Sequence, residues 1–164
     1  MKIKINVKTP KGQAAKSVET QKKSILGRAL SYKLLEQKVV SDSEFYWILE
    51  IEEDRYLEVS NKCFKAEIMI KKFYKILMGT IERVNKLVLK FKKGAKWVRK
   101  QIVKRLKKLS GENNKDNPLF AQIETMPDEE FNTFIKMNDK AAMKKLLAGP
   151  LITIEEIMED ETVS

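Results

Sequence analysis

The stretch KIKINVK at residues 2–8 decides the fold class, because its side chains alternate strictly between polar and apolar. Ile3, Ile5 and Val7 fall on one side of the chain, and three lysines with one asparagine fall on the other. A period of two is the signature of a β-strand that buries one face. We therefore expect a strand at 2–8 whose solvent face is basic.

The segments that follow this strand predict a helix and a β-hairpin. Residues 13–37 predict a helix, because apolar side chains recur there at intervals of three and four. The members of this stripe are Ile25, Leu26, Ala29, Tyr32, Leu34 and Leu35. Residues 41–43 predict a loop. The aromatic and β-branched residues 45–51 and the segment 56–59, separated by a charged turn, predict a hairpin.

A strand, a helix and a hairpin in this order predict an α+β fold, with a small antiparallel or mixed sheet followed by long helices. The helical periodicity runs from about residue 63 to 109. Gly79 and Gly94 are the expected breaks, because glycine costs about 1 kcal/mol in a helix interior. We expect helices at 63–78 and 80–109.

The most polar segment of the chain, SGENNKDNP at 110–118, predicts a linker. We therefore predict three parts: an α+β body at 1–109 that ends in a basic amphipathic helix, the linker, and an acidic helical unit at 119–164. Proline and acids at 127–130 predict a helix over 127–147. Thr153 and Glu156 form a capping box for a last short helix, and residues 151–157 alternatively add a strand.

The composition excludes much common enzymology. The chain of 164 residues contains no histidine and one cysteine. It therefore lacks the usual general base at neutral pH, the Ser-His-Asp and Cys-His constellations and a cysteine-based zinc cluster. We expect a non-catalytic protein with no cofactor and no metal. The single cysteine, the absence of a long apolar run and the N-terminal MKIKINVK predict an intracellular protein with neither signal peptide nor transmembrane segment.

The net charge of +10 is unevenly distributed. Residues 1–110 hold 28 basic and 11 acidic side chains, and residues 111–164 hold 5 basic and 12 acidic ones. The acidic part is therefore expected either to neutralise the basic part or to recruit a partner of its own. Lysine outnumbers arginine 28 to 5, which is typical of AT-rich genomes and thus of many viruses and mobile elements.

The segment between Glu82 and Glu112 carries twelve basic residues and no acidic one. On a helix, its apolar residues share an arc of about 100–120° and most basic ones take the remainder. No acid is available for i,i+4 pairing, so the like charges repel unless an anion meets them. The alternatives are a solvated face and neutralisation by the acidic part.

Trp97 falls among these lysines and outside the apolar stripe. An indole ringed by lysines can stack on a nucleobase while the lysines bind phosphates; the alternative is packing against a neighbouring element. The predicted nucleic-acid contacts are Lys86, Lys90, Lys93, Lys96, Trp97, Lys100, Lys104 and Lys108. Lys2, Lys4 and Lys8 extend this surface as a further hypothesis.

Three other features come close to a chemical site. Residues 12–17, GQAAKS, end in the Lys-Ser pair of a P-loop, but Pro10 and Ala15 stand where that loop needs glycine. The carboxylates at 50–54 resemble a metal cluster, and we interpret them as a charged hairpin tip. Cys63 is expected to be a buried or incidental thiol.

The leading functional hypothesis is sequence-tolerant nucleic-acid binding by the basic helix face. The first alternative is a structural or assembly protein, for example of a virus particle, in which the basic helix and acidic tail dock on neighbouring subunits of a homo- or hetero-oligomer. A third hypothesis is binding to an anionic membrane surface.

Overall fold

The computed structural model describes residues 1–27, 31–91, 94–110 and 118–158. Within these ranges the chain forms two compact units. The first contains both ends of the chain, up to Ile68 and from Leu146 onward, and the second contains Met69–Lys145. The second unit is therefore an insertion in the sequence of the first.

The first unit is built on a four-stranded antiparallel sheet. Its strands are β1 (Lys2–Lys8), β2 (Lys33–Ser41), β3 (Glu44–Glu50) and β4 (Ile152–Ile157), in the spatial order β2-β3-β1-β4. Strand β1 pairs on both edges, so that Ile5 lies opposite Trp47 of β3 and Ile154 of β4. Its apolar side is buried and its lysines are not, which confirms the predicted strand and its register.

Helix α1 (Ala14–Leu26) covers the buried face of this sheet with Val18, Ile25 and Leu26. The predicted helix over 13–37 is correct only up to Leu26. Gly27 follows at φ +65°, a left-handed conformation that ends the helix, and its N–H donates to the carbonyl of Lys23. Leu34 and Leu35, assigned to the helical stripe, lie on strand β2, and Ala29 lies outside the described residues.

The predicted hairpin has the wrong partner. Strand β3 occupies the expected position, but it pairs with the preceding strand β2 through the two-residue turn Asp42-Ser43. The segment 56–59 is instead the start of helix α2 (Tyr56–Phe91), entered through a 3₁₀ turn at Glu53–Arg55. Alternation over four residues was too short to separate a strand from one turn of helix.

The start of β4 is held by a carboxylate of α2. Glu67 accepts hydrogen bonds from the backbone N–H groups of Leu151 and Ile152, and Leu151 is itself buried. Residues 151–157 therefore take the strand alternative, and the capping-box helix around Thr153 is wrong. The second edge of β1 supplies the hydrogen bonds that stabilise the extended conformation.

The second unit consists of helices. Its elements are the part of α2 from Met69 onward, α3 (Ala95–Ser110), α4 (Pro118–Thr125), α5 (Asp128–Met137) and most of α6 (Lys140–Ala148). The predicted helix boundary at Gly79 is wrong, because α2 continues through it with Leu77 and Val84 buried on either side. The single helix predicted over 80–109 is also wrong, because α2 ends at Phe91 and α3 begins at Ala95, so that the helix breaks beside Gly94, which the sequence offered as a break or kink.

The predicted helix 127–147 is two helices. Asn138 interrupts it, with both its backbone N–H and its side-chain amide donating to the carbonyl of Phe134. Asp139 then caps α6, since its carboxylate accepts from the N–H of Ala142. The short helix α4 has no counterpart in the sequence prediction.

The α+β class is thus confirmed, with an antiparallel sheet and long helices after it. The proposed linker falls mostly outside the described residues, so the division there stays a prediction. None of the helices in the described ranges is both long and apolar enough to cross a lipid bilayer.

Two glycine substitutions should change stability in opposite directions. Gly79→Ala should raise the free energy of unfolding by about 0.5–1 kcal/mol, because a Cβ there meets no atom within 4 Å and alanine favours the helix. Gly27→Ala should lower it by about 1–2 kcal/mol, because alanine is strained at φ +65°. Urea unfolding followed by circular dichroism measures both. A less stable Gly79→Ala variant would contradict the assignment of this glycine to a regular helix.

Candidate nucleic-acid interface

The solvent side of α3 is composed of lysines. Ile102 and Leu106 are buried, which fixes the rotation of the helix about its axis. Between residues 96 and 108, where the structure describes the side chains of α3, every fully exposed residue is a lysine. These are Lys96, Lys100, Lys104, Lys107 and Lys108.

Four of these lysines follow one another at intervals of four residues. We call Lys96, Lys100, Lys104 and Lys108, together with Trp97, the lysine face. Side chains four apart on a helix are neighbours, about 5–6 Å apart at Cβ. The row rises about 18 Å, which is the rise of about five nucleotides along one strand of B-DNA. The four lysines of this row therefore extend over the length of about five phosphates of one strand, at about 6 Å between successive lysines along the axis.

Trp97 lies on the same side of α3 as Lys100 and Lys104, which follow it by three and seven residues. Its side chain is half-buried, so part of the indole is open to solvent. The other tryptophan, Trp47, is fully buried beside Phe45 in the core of the first unit, with ring centroids 5.2 Å apart. The two indoles therefore differ in their access to a ligand.

The remaining basic residues of α3 include two that pair with acids of the following helices. Arg99 donates from Nη1 to Asp128 Oδ1 of α5 and from Nη2 to the carbonyl oxygen of Glu124 of α4, each at 2.8 Å. The Lys107 Nζ lies 2.8 Å from Glu124 Oε1. Part of the acidic segment thus neutralises part of the basic helix, as one alternative expected. Arg99 lies beside the buried Leu106 in helical rotation, whereas Lys107 lies between Lys96 and Lys100, within the arc of the lysine face.

Within the described residues, no ion pair involves Lys96, Lys100, Lys104 or Lys108. The pattern of pairing is therefore selective. Arg99 and Lys107 pair with acids of α4 and α5, while the four lysines have no acidic partner within residues 1–27, 31–91, 94–110 and 118–158. Arg99 and Lys107 belong to the twelve basic residues of this segment but not to the predicted contacts, and the tertiary contacts show which acids they bind.

The predicted contact residues are divided between two helices. Lys86 is exposed on α2, whereas the lysine face is on α3, so the single helical arc over 80–109 does not exist. Lys90 and Lys93 lie outside the residues whose side chains the structure describes.

Lys86 borders a cleft of about 260 Å³ in the second unit. Its walls are mostly apolar, with Leu77, Ile81 and Phe134 among them. At its mouth Lys140 donates to Glu82 at 3.1 Å, and this bond holds the pKa of the Glu82 carboxyl below its usual range. The ion pair leaves Lys86 as a cationic group at the rim.

Lys4 of β1 contacts an aromatic ring on the neighbouring strand β3. The Lys4 Nζ lies 4.4 Å from the centroid of the Tyr46 ring. The Tyr46 hydroxyl donates to Glu36 Oε1 at 3.0 Å, which raises the pKa of Tyr46. Tyr46 therefore contacts both Lys4 and the carboxylate of Glu36. This face of the sheet carries positive and negative charge side by side.

The P-loop-like segment, the carboxylate cluster and Cys63 do not form chemical sites among the described residues. Ser17 lies on the buried side of α1, so its hydroxyl is not exposed to bind a phosphate as a P-loop serine would. Among the described residues, no group of three or more cysteine, aspartate or glutamate side chains is arranged to hold a metal ion. Cys63 is buried on α2, and burial together with the nearby Glu67 raises the pKa of its thiol to about 12.

Replacing Arg99 and replacing Lys107 should have different effects on the free energy of unfolding. Arg99→Lys should lower the free energy of unfolding by about 1 kcal/mol, because lysine cannot reproduce the two simultaneous bonds to α4 and α5. Lys107→Ala should change it by less than about 0.5 kcal/mol, because both partners of that pair are largely exposed. Urea titration checks both variants. Equal losses would show that Arg99 has no special role in positioning α3.

The Cys63 thiol should be inert in the folded protein. At pH 8 a thiol of pKa about 12 is thiolate in roughly one molecule in ten thousand. A disulfide reagent such as dithionitrobenzoate should therefore label the native chain very slowly and label one thiol per chain in urea. Rapid labelling of the native protein would show that the thiol is accessible and ionised.

No protein-family model, no curated protein and no solved structure matches this chain. The lysine face of α3 is the candidate interface on the evidence of the chain's own residues.

Proposed function

We propose that the lysine face of α3 binds the phosphate backbone of a nucleic acid without strong sequence preference and without catalysis. The observation that carries this proposal is the row Lys96, Lys100, Lys104 and Lys108, which is exposed and lacks an acidic partner among the described residues. Like charges four residues apart on a helix destabilise it. A polyanion relieves that repulsion and releases its own condensed counterions on binding.

The residue types support phosphate binding over base recognition. Lysine acts as a point charge and lacks the bidentate fork with which arginine reads guanine. Arg99 is already engaged by hydrogen bonds to α4 and α5. Trp97 supplies a stacking surface that accepts any base, worth about 1–3 kcal/mol per base in single-strand binders.

The position of the apolar residues argues against the membrane alternative. A helix that lies on a bilayer inserts an apolar face between the lipids. The apolar side of α3, with Ile102 and Leu106, is buried inside the second unit and is not available for insertion. Lysine attraction to anionic headgroups is all that remains, so vesicle binding is expected to be weaker than nucleic-acid binding.

A titration with mixed-sequence single-stranded and duplex DNA across a salt series tests the proposal. With four or five lysines engaged, log K should fall against log salt with a slope of roughly −3 to −5. Single-strand binding should quench tryptophan fluorescence, and Trp97→Phe should abolish the quench because Trp47 is buried. Absence of any salt-sensitive complex at low salt would refute the proposal.

A matched pair of double variants locates the interface. Lys100→Ala with Lys104→Ala should reduce the magnitude of the salt slope by about 1.5–2. Lys144→Ala with Lys145→Ala removes the same charge from exposed positions of α6 in the same unit and should leave the slope nearly unchanged. Equal effects would mean that net charge, and not the lysine face, drives binding. A stronger response to anionic vesicles than to DNA would favour the membrane.

A further inference from the structure

Helix α2 exposes large apolar side chains on the face that points away from its own core. Leu57, Phe64 and Ile68 are 74%, 64% and 53% exposed. Single exposed apolar residues are ordinary, but a row of three on one helix side is a contiguous patch of the kind that marks interaction sites.

Helical geometry places these residues together. With 100° per residue, Leu57, Phe64 and Ile68 fall within about 40° of one another. The buried residues Val59 and Cys63 lie on the opposite side of the helix. In its first turns, α2 therefore has two apolar faces, and no described residue covers the outer one sufficiently to bury it.

The spacing of the outer face is that of a coiled-coil seam. Positions 57, 61, 64 and 68 are separated by four, three and four residues, which alternates between the two seam positions of a heptad. Asn61 occupies the remaining position and is exposed. A single asparagine in such a seam is a known device for specifying register and oligomeric state. We call these four residues the α2 seam.

We propose that the α2 seam binds the α2 seam of a second copy of this chain, with the two helices antiparallel about a two-fold axis. A two-fold contact requires a surface that complements itself. In the antiparallel register, Leu57 lies opposite Ile68 of the second copy and Asn61 lies opposite its Phe64. Every seam residue then has a partner, and the symmetry repeats each contact twice.

The charges beside the seam favour this orientation. Glu58 and Lys65 are seven residues apart and flank the seam on the same edge. In an antiparallel pair like edges meet, so Glu58 of each copy faces Lys65 of the other. In a parallel pair opposite edges meet, so Glu58 of one copy no longer faces Lys65 of the other.

The present partners of these two side chains permit the contact. Lys65 is exposed and has no ion-pair partner among the described residues. The Glu58 carboxylate accepts from Arg55 at 3.1 Å, one turn earlier, and both of these side chains are largely exposed. On the other edge, Glu67 is directed to the backbone of β4 and contributes no repulsion.

Sedimentation equilibrium of the full chain tests the proposal. Two heptads bury less surface than a standard interface, so the concentration series should extend to about 0.5 mM. We expect a monomer–dimer equilibrium that Phe64→Glu weakens at least tenfold. Val40→Glu introduces the same charge at a 54% exposed apolar position on β2 and should leave the equilibrium unchanged. A chain that stays monomeric throughout, or a dimer equally weakened by both variants, would overturn the proposal.

Charge exchange tests the orientation. Lys65→Glu and Glu58→Lys should each raise the dissociation constant of the dimer by about five- to tenfold. Each substitution converts the two attractive Glu58–Lys65 contacts of the dimer into two repulsive contacts between like charges. The double variant restores opposite charges and should return the dissociation constant to within about twofold of the parent. A tighter dimer for Glu58→Lys alone would refute the antiparallel arrangement. None of these residues belongs to the lysine face, so the outcome is independent of nucleic-acid binding.

Discussion

The fold depends on the pairing of β1 along both of its edges. A strand between two neighbours donates and accepts its backbone hydrogen bonds entirely within the sheet, and β1 obtains this from β3 on one side and β4 on the other. Because β4 comes from the last part of the described chain, the sheet is complete only after residues 69–145 have been synthesised. Glu67 reinforces this closure by binding the backbone at the start of β4. The sheet of the first unit therefore cannot be completed before the chain of the second unit, which contributes no strand to it, has been synthesised.

The same pairing explains which elements were predictable from the sequence. Strand β1 has seven residues of strict alternation, so its position and buried face follow from local pattern alone. Strand β4 is short and carries a capping-box pattern, and only its partner and Glu67 decide between helix and strand. Strand β2 is exposed along its whole length and has irregular pairing at Leu35 and Val40, so it lacks a buried face to give it a period of two. Its leucines matched the helical spacing of the preceding segment by coincidence, and the left-handed Gly27 was not distinguishable from an ordinary glycine.

For α3 the sequence predicted the exposed side of the helix better than the helix boundaries. Helical spacing places Trp97 on the side of Lys100 and Lys104, and the absence of acids between Glu82 and Glu112 is a property of the sequence whose functional meaning stays a prediction. Which basic side chains of α3 pair with an acid depends on where α4 and α5 pack. The helical spacing of the α3 sequence contains no information about that packing. Arg99 illustrates this: it resembles its neighbours in sequence, yet it reaches a carboxylate and a backbone carbonyl on two other helices. The break between α2 and α3 likewise separates Lys86 from the other predicted contacts.

The two proposed contacts, lysine face with polyanion and α2 seam with α2 seam, should respond to ionic strength in opposite ways, because different forces govern them. Attraction between the lysine face and a polyanion is weakened by salt through counterion competition. Contact between two α2 seams is mainly apolar, and two chains of net charge +10 repel one another at long range. Salt screens that repulsion within about 10 Å at 0.1 M, while it leaves the apolar contact intact. Low salt therefore favours the chain on a polyanion, and high salt favours the chain on itself. A bound polyanion also neutralises part of the charge that opposes pairing, so nucleic-acid binding and self-association should reinforce each other wherever both surfaces are free.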